Sequence, residues 1–261
     1  MGLALLRPAL REFGHQMTLY RRIWRGSIVI SVANPLLFIL ALGAGLGKLV
    51  DQHNSAYLHG TPYPQFMAPG LIAAAAMQIG FLESAGPVRE SALPGGRYRS
   101  AIAAPMRAAD IFAGHLLYIA FRILISTAGV VLVVVAAGVI APGRAVALVP
   151  CALLTGLAFA VPVAAFAVRA ARPASLSALF RFVIMPLYMF SGTFYPTAQL
   201  PAWLRDLLLL SPLWHGVQLC RSIALGDADA GAMLVHIVVL LCLITAGTVV
   251  GRRAYVQQLA A

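Results

Sequence analysis

The chain has 261 residues, of which 61% are hydrophobic and 10% charged, whereas soluble globular domains carry about 25% charged residues. This composition and a mean hydropathy of +0.88 exclude an ordinary soluble protein and predict an integral membrane protein. The net charge of +11 comes from short arginine clusters between apolar segments, which indicates orientation in a bilayer and argues against a nucleic-acid partner.

The first predicted element is an amphipathic helix over residues 1–26, set apart from a membrane domain over residues 27–261. Its apolar side chains recur at spacings of four and three residues, and they are Leu6, Leu10, Phe13, Met17, Tyr20 and Trp24. Arginines lie beside or opposite this stripe. We expect the helix to lie in the inner membrane surface against anionic lipid. A solvated lead-in helix is the alternative.

Six apolar stretches are long enough to cross a bilayer, which predicts an all-α protein with six transmembrane helices. The predicted spans are Ser27 to Gly47, Pro69 to Pro87, Ile111 to Ile140, Ala145 to Val168, Leu176 to Phe194, and Gly231 to Gly251.

The stretch Gly43 to Val50, "GAGLGKLV", is similar in composition to a nucleotide-binding phosphate loop. That loop needs a glycine at the position of Leu42 and a Ser or Thr at the position of Leu49. We therefore interpret the stretch as the outer end of the first span, and the chain itself offers no nucleotide site.

Most of the 19 lysine and arginine residues fall in segments that share one side of the membrane if both termini are cytoplasmic. Those arginines are Arg7, Arg11, Arg21, Arg22, Arg25, Arg89, Arg97, Arg99, Arg107, Arg169, Arg172, Arg181, Arg252 and Arg253. The positive-inside rule then predicts cytoplasmic termini.

Glu83 lies within the second predicted span and Arg122 within the third. Charges in hydrocarbon are costly, so each should face protein, water or the other. A structural ion pair and a part in transport both remain open for them.

The segment Leu200 to Gly226 is apolar, but Ser211-Pro212 interrupts it and it carries Arg205, Asp206 and Arg221. Each half is about a dozen residues long, too short to cross a bilayer. We predict two short helices that form a re-entrant hairpin from the outer face, between spans five and six.

The stretch Phe190 to Gly226 and a second stretch after the second span resemble the membrane subunits of ABC-2 type ABC exporters. The likeness is closest to the branch of lipo-oligosaccharide (nodulation-factor) exporters and drug-resistance permeases. In the first stretch it rests on Ser191-Gly192-Thr193-Phe194, Pro196, Leu200-Pro201, the run Pro212 to Val217, Leu219, Arg221 and Leu225-Gly226. In the second it rests on Tyr98, Ile102, Ala104-Pro105, Asp110-Ile111, Gly114 and Leu116, whereas Ala92 to Gly96, "ALPGG", departs from many relatives.

This resemblance implies a permease subunit in the bacterial plasma membrane that pairs with a second permease, identical or not. Each copy would dock on an ABC ATPase subunit, which would bind the ATP and magnesium, so this chain would be no enzyme and hold no cofactor or metal. The cytoplasmic loop Arg89 to Asp110 would carry the coupling residues, namely Arg97, Tyr98, Arg99, Pro105 and Arg107. The alternative is that these arginines serve only to orient the spans.

Side chains near the outer end of the fifth span and in the hairpin are candidates for the path of an amphiphilic substrate. They are Tyr188, Phe190, Phe194, Tyr195, Trp214 and His215. The alternatives are an aromatic belt at the membrane interface for the aromatic side chains and a structural hydrogen bond for His215.

Two other classes of function are the alternatives to a permease subunit. A membrane-embedded lipid-modifying enzyme needs acids, histidines or a nucleophile gathered at one depth, and the sequence offers no such set. An ATP-independent secondary transporter commonly has two similar halves, which this chain lacks.

Overall fold

The computed structural model describes residues 2–38, 41, 60–103, 106–227 and 229–260, and every regular element within them is helical. In chain order the α-helices are α1 Gly2–Phe38, α2 Tyr63–Ala92, α3 Arg97–Ala103, α4 Ala108–Ala136, α5 Pro142–Ala167, α6 Pro173–Leu179, α7 Met185–Phe190, α8 Ala202–Leu208, α9 Pro212–Leu225 and α10 Ala230–Ala260. The stretch Gly43 to Val50, interpreted above as a span end, lies outside the described residues.

Helix α2 is the centre of the molecule, and α4, α5 and α9 pack around it. Small side chains allow this close packing. A Cβ atom placed on Gly156 of α5 would lie 2.8 Å from the Ala76 carbonyl oxygen of α2, and one placed on Gly80 of α2 would collide with the backbone of Gly156. The two helices therefore touch backbone to backbone.

Five helical segments are long and apolar enough to cross a membrane: Tyr63–Ala92, Ala108–Ala136, Pro142–Ala167, Pro173–Phe190 and Ala230–Leu259. They correspond to predicted spans two to six and make the chain a multi-pass membrane protein. The remaining predicted span, Ser27 to Gly47, is described only as far as Phe38 and at residue 41.

Helix α1 runs without interruption across residue 26, where the sequence had suggested a boundary between an interface helix and a first span. It packs along α4, with Phe13 and Tyr20 each edge-on to the ring of Phe121. The face it buries is shifted from the apolar stripe, because Ala9, Glu12 and Gln16 are buried while Leu10 and Trp24 of the stripe are about half exposed. Whether its first turns lie in the membrane surface stays a prediction.

The fifth predicted span consists of α6 and α7 joined by a π-helical turn, Phe180–Ile184. It touches α2 through the rings of Phe81 and Phe180, whose centroids are 5.2 Å apart. Most of its remaining surface, including Phe182 and Met189, is exposed. This span therefore lies at the edge of the bundle.

The segment Leu200 to Gly226 forms the two predicted short helices, α8 and α9, separated at Ser211. The Ser211 hydroxyl caps α9 by accepting a hydrogen bond from the backbone N–H of Trp214. Gly226 ends α9 with a φ of 85°, a left-handed conformation that favours glycine. The re-entrant position of the pair in a membrane remains a prediction.

Candidate functional site

The turn that leads into α3 is built by two glycines. Gly95 has a φ of 78°, and a Cβ atom on Gly96 would lie 2.6 Å from the carbonyl oxygens of both Glu90 and Ser91. Only glycine fits positions with this conformation and this crowding. The "ALPGG" stretch, which departs from the family pattern, therefore ends α2 and turns the chain sharply into α3.

Tyr98 is the anchor of α3 and has no exposed surface. Its hydroxyl forms a short hydrogen bond with Nδ1 of His115 on α4, and it lies 3.4 Å from the hydroxyl of Tyr255 on α10. Burial raises the pKa of Tyr98 above its ordinary value, so the phenol stays neutral. One side chain thus joins α3 to two spans.

Arg97 points back toward α1. Its Nη1 donates to Oε1 of Gln16 at 2.8 Å and its Nε lies 3.8 Å from the carboxylate of Glu12, while Nη2 donates to the hydroxyl of Ser91 at 3.0 Å. Glu12 and Gln16 are both buried. We call Glu12, Gln16, Arg97, Tyr98, His115 and Tyr255 the inner polar cluster.

Helices α1 and α4 approach each other closely, and this contact brings residues of the inner polar cluster together. A Cβ atom on Gly114 would lie 2.5 Å from the carbonyl oxygen of Ala9 and 2.6 Å from Cβ of Glu12. The absence of a side chain at Gly114 therefore brings Glu12 and Gln16 to the level of His115, whose Nδ1 is 3.4 Å from Nε2 of Gln16.

The predicted coupling residues do not share one orientation. Arg97 and Tyr98 face the interior, and Arg99 is half-buried with its Nη2 3.5 Å from the carbonyl oxygen of Gln258 on α10. Arg107 is exposed just before α4. Pro105 lies outside the described residues. Among the four described residues, Arg107 is thus the one most open to a partner.

Glu83 and Arg122 form the direct ion pair that the sequence left open. Nε of Arg122 donates to Oε1 of Glu83 at 2.8 Å, and the guanidinium lies 4.7 Å from the centre of the Tyr20 ring. Arg122 is 4% exposed. The pair joins α2 to α4 beside α1, and a part in transport remains a prediction.

The second group of polar contacts holds α9 at the other end of the bundle. Arg221 is buried, donates from Nη2 to the carbonyl oxygen of Gly192 at 2.7 Å, and stacks over the ring of Phe66. Arg144 of α5 donates to the carbonyl oxygens of Ala224 and Leu225, which satisfies the free end of the helix. Both arginines fix α9 in place.

The predicted substrate-path residues separate into two groups by their ring contacts. Tyr188 packs edge-on against Phe194 at 5.2 Å, whereas Trp214 packs against His215 and His236.

His215 is buried and has a hydrogen-bonding role. Its Nδ1 lies 2.8 Å from Nδ1 of His236 on α10 and its Nε2 lies 2.9 Å from the carbonyl oxygen of Leu209, so it ties α9 to its neighbours. Phe190 is exposed and Tyr195 is half-buried. The described contacts do not assemble all six candidates into one lining.

The sequence reasoning missed Glu12, Gln16 and Tyr255. Glu12 and Gln16 are polar residues four apart on a helix, so they share a face, and this spacing was a usable signal. Tyr255 follows the last predicted span and carried no comparable signal. Within the described ranges, no three His, Cys, Asp or Glu side chains gather as metal ligands would.

The sequence model of the ABC-2 type transporter family matches residues 14–225 of the chain. The chain is similar to Nodulation protein J of Rhizobium leguminosarum bv. trifolii, with 30% identity over 229 residues and 84% of each protein covered. It is also similar to Nodulation protein J of Sinorhizobium fredii, with 29% identity over 213 residues, covering 81% of this chain and 78% of the relative. The protein of that name from Rhizobium meliloti is 27% identical over 220 residues, covering 84% of this chain and 79% of the relative.

Proposed function

The chain belongs to the ABC-2 type transporter family, and on this premise we propose that it is the permease subunit of an ATP-driven exporter. In this proposal two permease subunits pair in the bacterial plasma membrane, and each docks on a cytoplasmic ABC ATPase that binds ATP and magnesium. The permease moves an amphiphile from the inner to the outer side of the membrane.

The attachment of α3 is the observation that carries this proposal. Tyr98 and Arg97 connect this short helix to α1, α4 and α10 through buried hydrogen bonds and an ion pair. A displacement of α3 by a partner would therefore reach three long helices at once, because packed side chains transmit strain. A helix placed in this way suits the transfer of motion from an ATPase.

The arginine distribution supports the proposed orientation of the chain. Arg97, Arg107 and Arg169 lie at helix ends, and Arg252 and Arg253 lie in the last third of α10, on the side to which the alternation of spans brings all five. With these residues cytoplasmic, α3 faces the ATPase, and α8 and α9 lie on the outer side.

The substrate is proposed only as a class. The relatives are named Nodulation protein J. The sequence also resembles the branch of lipo-oligosaccharide (nodulation-factor) exporters and drug-resistance permeases, so a lipo-oligosaccharide is the first compound to test, followed by glycolipids and drugs. Exposed aromatic and apolar side chains near the outer end of the bundle, such as Phe190 and Trp203, are compatible with an amphiphile.

The test uses inside-out membrane vesicles from cells that make the permease together with its ATPase subunit. Uptake of labelled lipo-oligosaccharide should require ATP and should stop when either protein is omitted. Uptake that persists without ATP would overturn the proposal in favour of a secondary transporter. If no compound of the three substrate classes is taken up although the assembled complex hydrolyses ATP, the substrate class is wrong.

A further inference from the structure

An apolar groove with a volume of about 660 Å³ runs between α5 and α10. Its walls include Pro162, Phe166, Leu243, Ala246, Gly247 and Val250. Helix α10 packs closely on α5 at Gly247, since a Cβ atom there would lie 3.0 Å from Val161 and 3.2 Å from the Pro162 ring. Beside this contact the lining residues Ala165 and Ala246 are too small to fill the groove between α5 and α10.

One end of the groove is basic. Arg169 lines that end, and its Nη2 donates to Oε1 of Gln257 on α10. Gln257 also lines a neighbouring groove together with Arg252 and Arg253. No acidic residue is among the described side chains that line either groove.

A further arginine is hydrogen-bonded to the backbone at the basic end of the groove. Arg89 of α2 donates to the carbonyl oxygens of Ala170 and Ala171, at 3.1 and 2.9 Å, and both alanines line the groove. These bonds fix the turn between α5 and α6, so the basic end is part of the rigid bundle. Its shape therefore exists before any ligand arrives.

We propose that this groove binds an anionic phospholipid, with an acyl chain along α5 and α10 and the phosphate at Arg169, Arg252 and Arg253. From Pro162 to Arg169 the groove follows seven residues of helix, roughly 10 Å, which fits the part of an acyl chain nearest the headgroup. Clusters of arginine beside apolar helices at a membrane surface attract anionic headgroups.

A second copy of the chain suits the groove less well than a lipid does. A two-fold interface placed here would bring the same patch of each copy together. Arg169, Arg252 and Arg253 of the two copies would then face one another, and like charges at close range repel. A phosphate offsets part of this positive charge, whereas a second copy adds to it.

The experiment uses the full-length chain without an ATPase, so it is independent of the proposed transport. The chain is purified from vesicles of phosphatidylglycerol and phosphatidylcholine in equal parts, and the lipid retained per chain is measured by mass spectrometry. We expect selective retention of phosphatidylglycerol. Arg169→Gln should reduce that retention about five-fold, since each arginine near a charged surface contributes a factor of that order.

A second variant tests the apolar part of the groove. Ala246→Trp fills the space and should abolish the selective retention, whereas Leu241→Trp, on an exposed part of α10 outside the groove lining, should leave it unchanged. Arg205→Gln on α8 is the matched charge control.

Two results would overturn the proposal. Equal retention of both lipids by the unaltered chain would show that the groove does not select an anionic headgroup. Unchanged retention in Ala246→Trp, together with a shift from dimer to monomer, would assign the groove to contact between subunits.

Discussion

The guanidinium of Arg97 on α3 lies 3.8 Å from the buried carboxylate of Glu12 on α1. This contact turns a residue expected to face a partner protein toward the inside of its own chain. The carboxylate also accepts a hydrogen bond from Gln16, so removing Arg97 leaves it with one partner among the described contacts. The role of Arg97 is thus first to hold α3 against α1.

We expect Arg97→Glu to destabilise the chain by about 1–3 kcal/mol, because it leaves a buried carboxylate without its counter-charge. The measurement is the fraction of monodisperse protein that survives a heating series in detergent. Arg97→Gln should lose less stability than Arg97→Glu, since an amide can still donate a hydrogen bond to Glu12. Equal survival of Arg97→Glu and the unaltered chain would contradict this role.

Arg107 is the better residue for testing partner docking, because it is exposed in the same loop. Arg107→Glu should leave thermal survival unchanged and weaken co-purification of the ATPase a few-fold, more so at low salt, as reversal of a charge at the rim of an interface does. Arg205→Glu, exposed on α8, is the control. Full ATPase binding by the Arg107 variant at low salt would remove this residue from the docking surface.

Breaking the pair of Glu83 and Arg122 should cost about 3–5 kcal/mol, because Arg122 would be left buried without its counter-charge. Glu83→Gln and Arg122→Gln are each compared with the double variant during titration with a denaturing detergent. The double variant should lose less stability than the two single variants lose in sum, and this difference indicates a direct interaction. Additive losses would show that the two side chains act independently.

The contact between α2 and α5 can be tested with two glycines on one helix. Gly80→Ala places a methyl group against the backbone of Gly156 and should destabilise the protein by about 1–3 kcal/mol. Gly86→Ala meets nothing within 4 Å and should be neutral or slightly stabilising, since alanine favours helix. Folded yield from membranes, assessed by size exclusion, compares the two. Similar yields for both variants would mean that the contact between α2 and α5 accommodates an added methyl group.

The orientation can be tested with single cysteines in a variant that lacks Cys151, Cys220 and Cys242. A cysteine at Asp227, which is exposed at the end of α9, should react with a membrane-impermeant reagent added to intact cells. A cysteine at Arg107 should react only after the membrane is opened. The reverse pattern would invert the proposed topology.

The sequence predicted the helical elements well because apolar length and prolines are local signals. Ser211-Pro212 separated α8 from α9 as expected, and Gly226 ended α9. Family membership, expected from the stretch Phe190 to Gly226, is confirmed by the family match. The ion pair of Glu83 and Arg122 was among the arrangements that the cost of isolated charges left open.

The rotation of each helix about its axis could not be predicted in the same way. Arg97 and Arg107 are equivalent in the sequence, yet one faces α1 and the other is exposed. The difference arises from contacts between residues far apart in the chain, such as Gly114 with Ala9, which set how α1 lies on α4. The same reason explains why the contact between His215 and His236 was not foreseen.

The π-helical turn at Phe180–Ile184 sets the angular phase of α7, the second half of the fifth span. Such a turn holds one residue more than a turn of α-helix, so every side chain after it is rotated by about 100° relative to an uninterrupted helix. Deleting one residue within the turn would restore a regular helix and leave Tyr188 and Phe190 on nearly the same side, because four residues of α-helix rotate the chain about as far as the five residues of this wider turn. A family member that is one residue shorter here would consequently present the same side chains to the same surroundings, since the wider turn absorbs the extra residue.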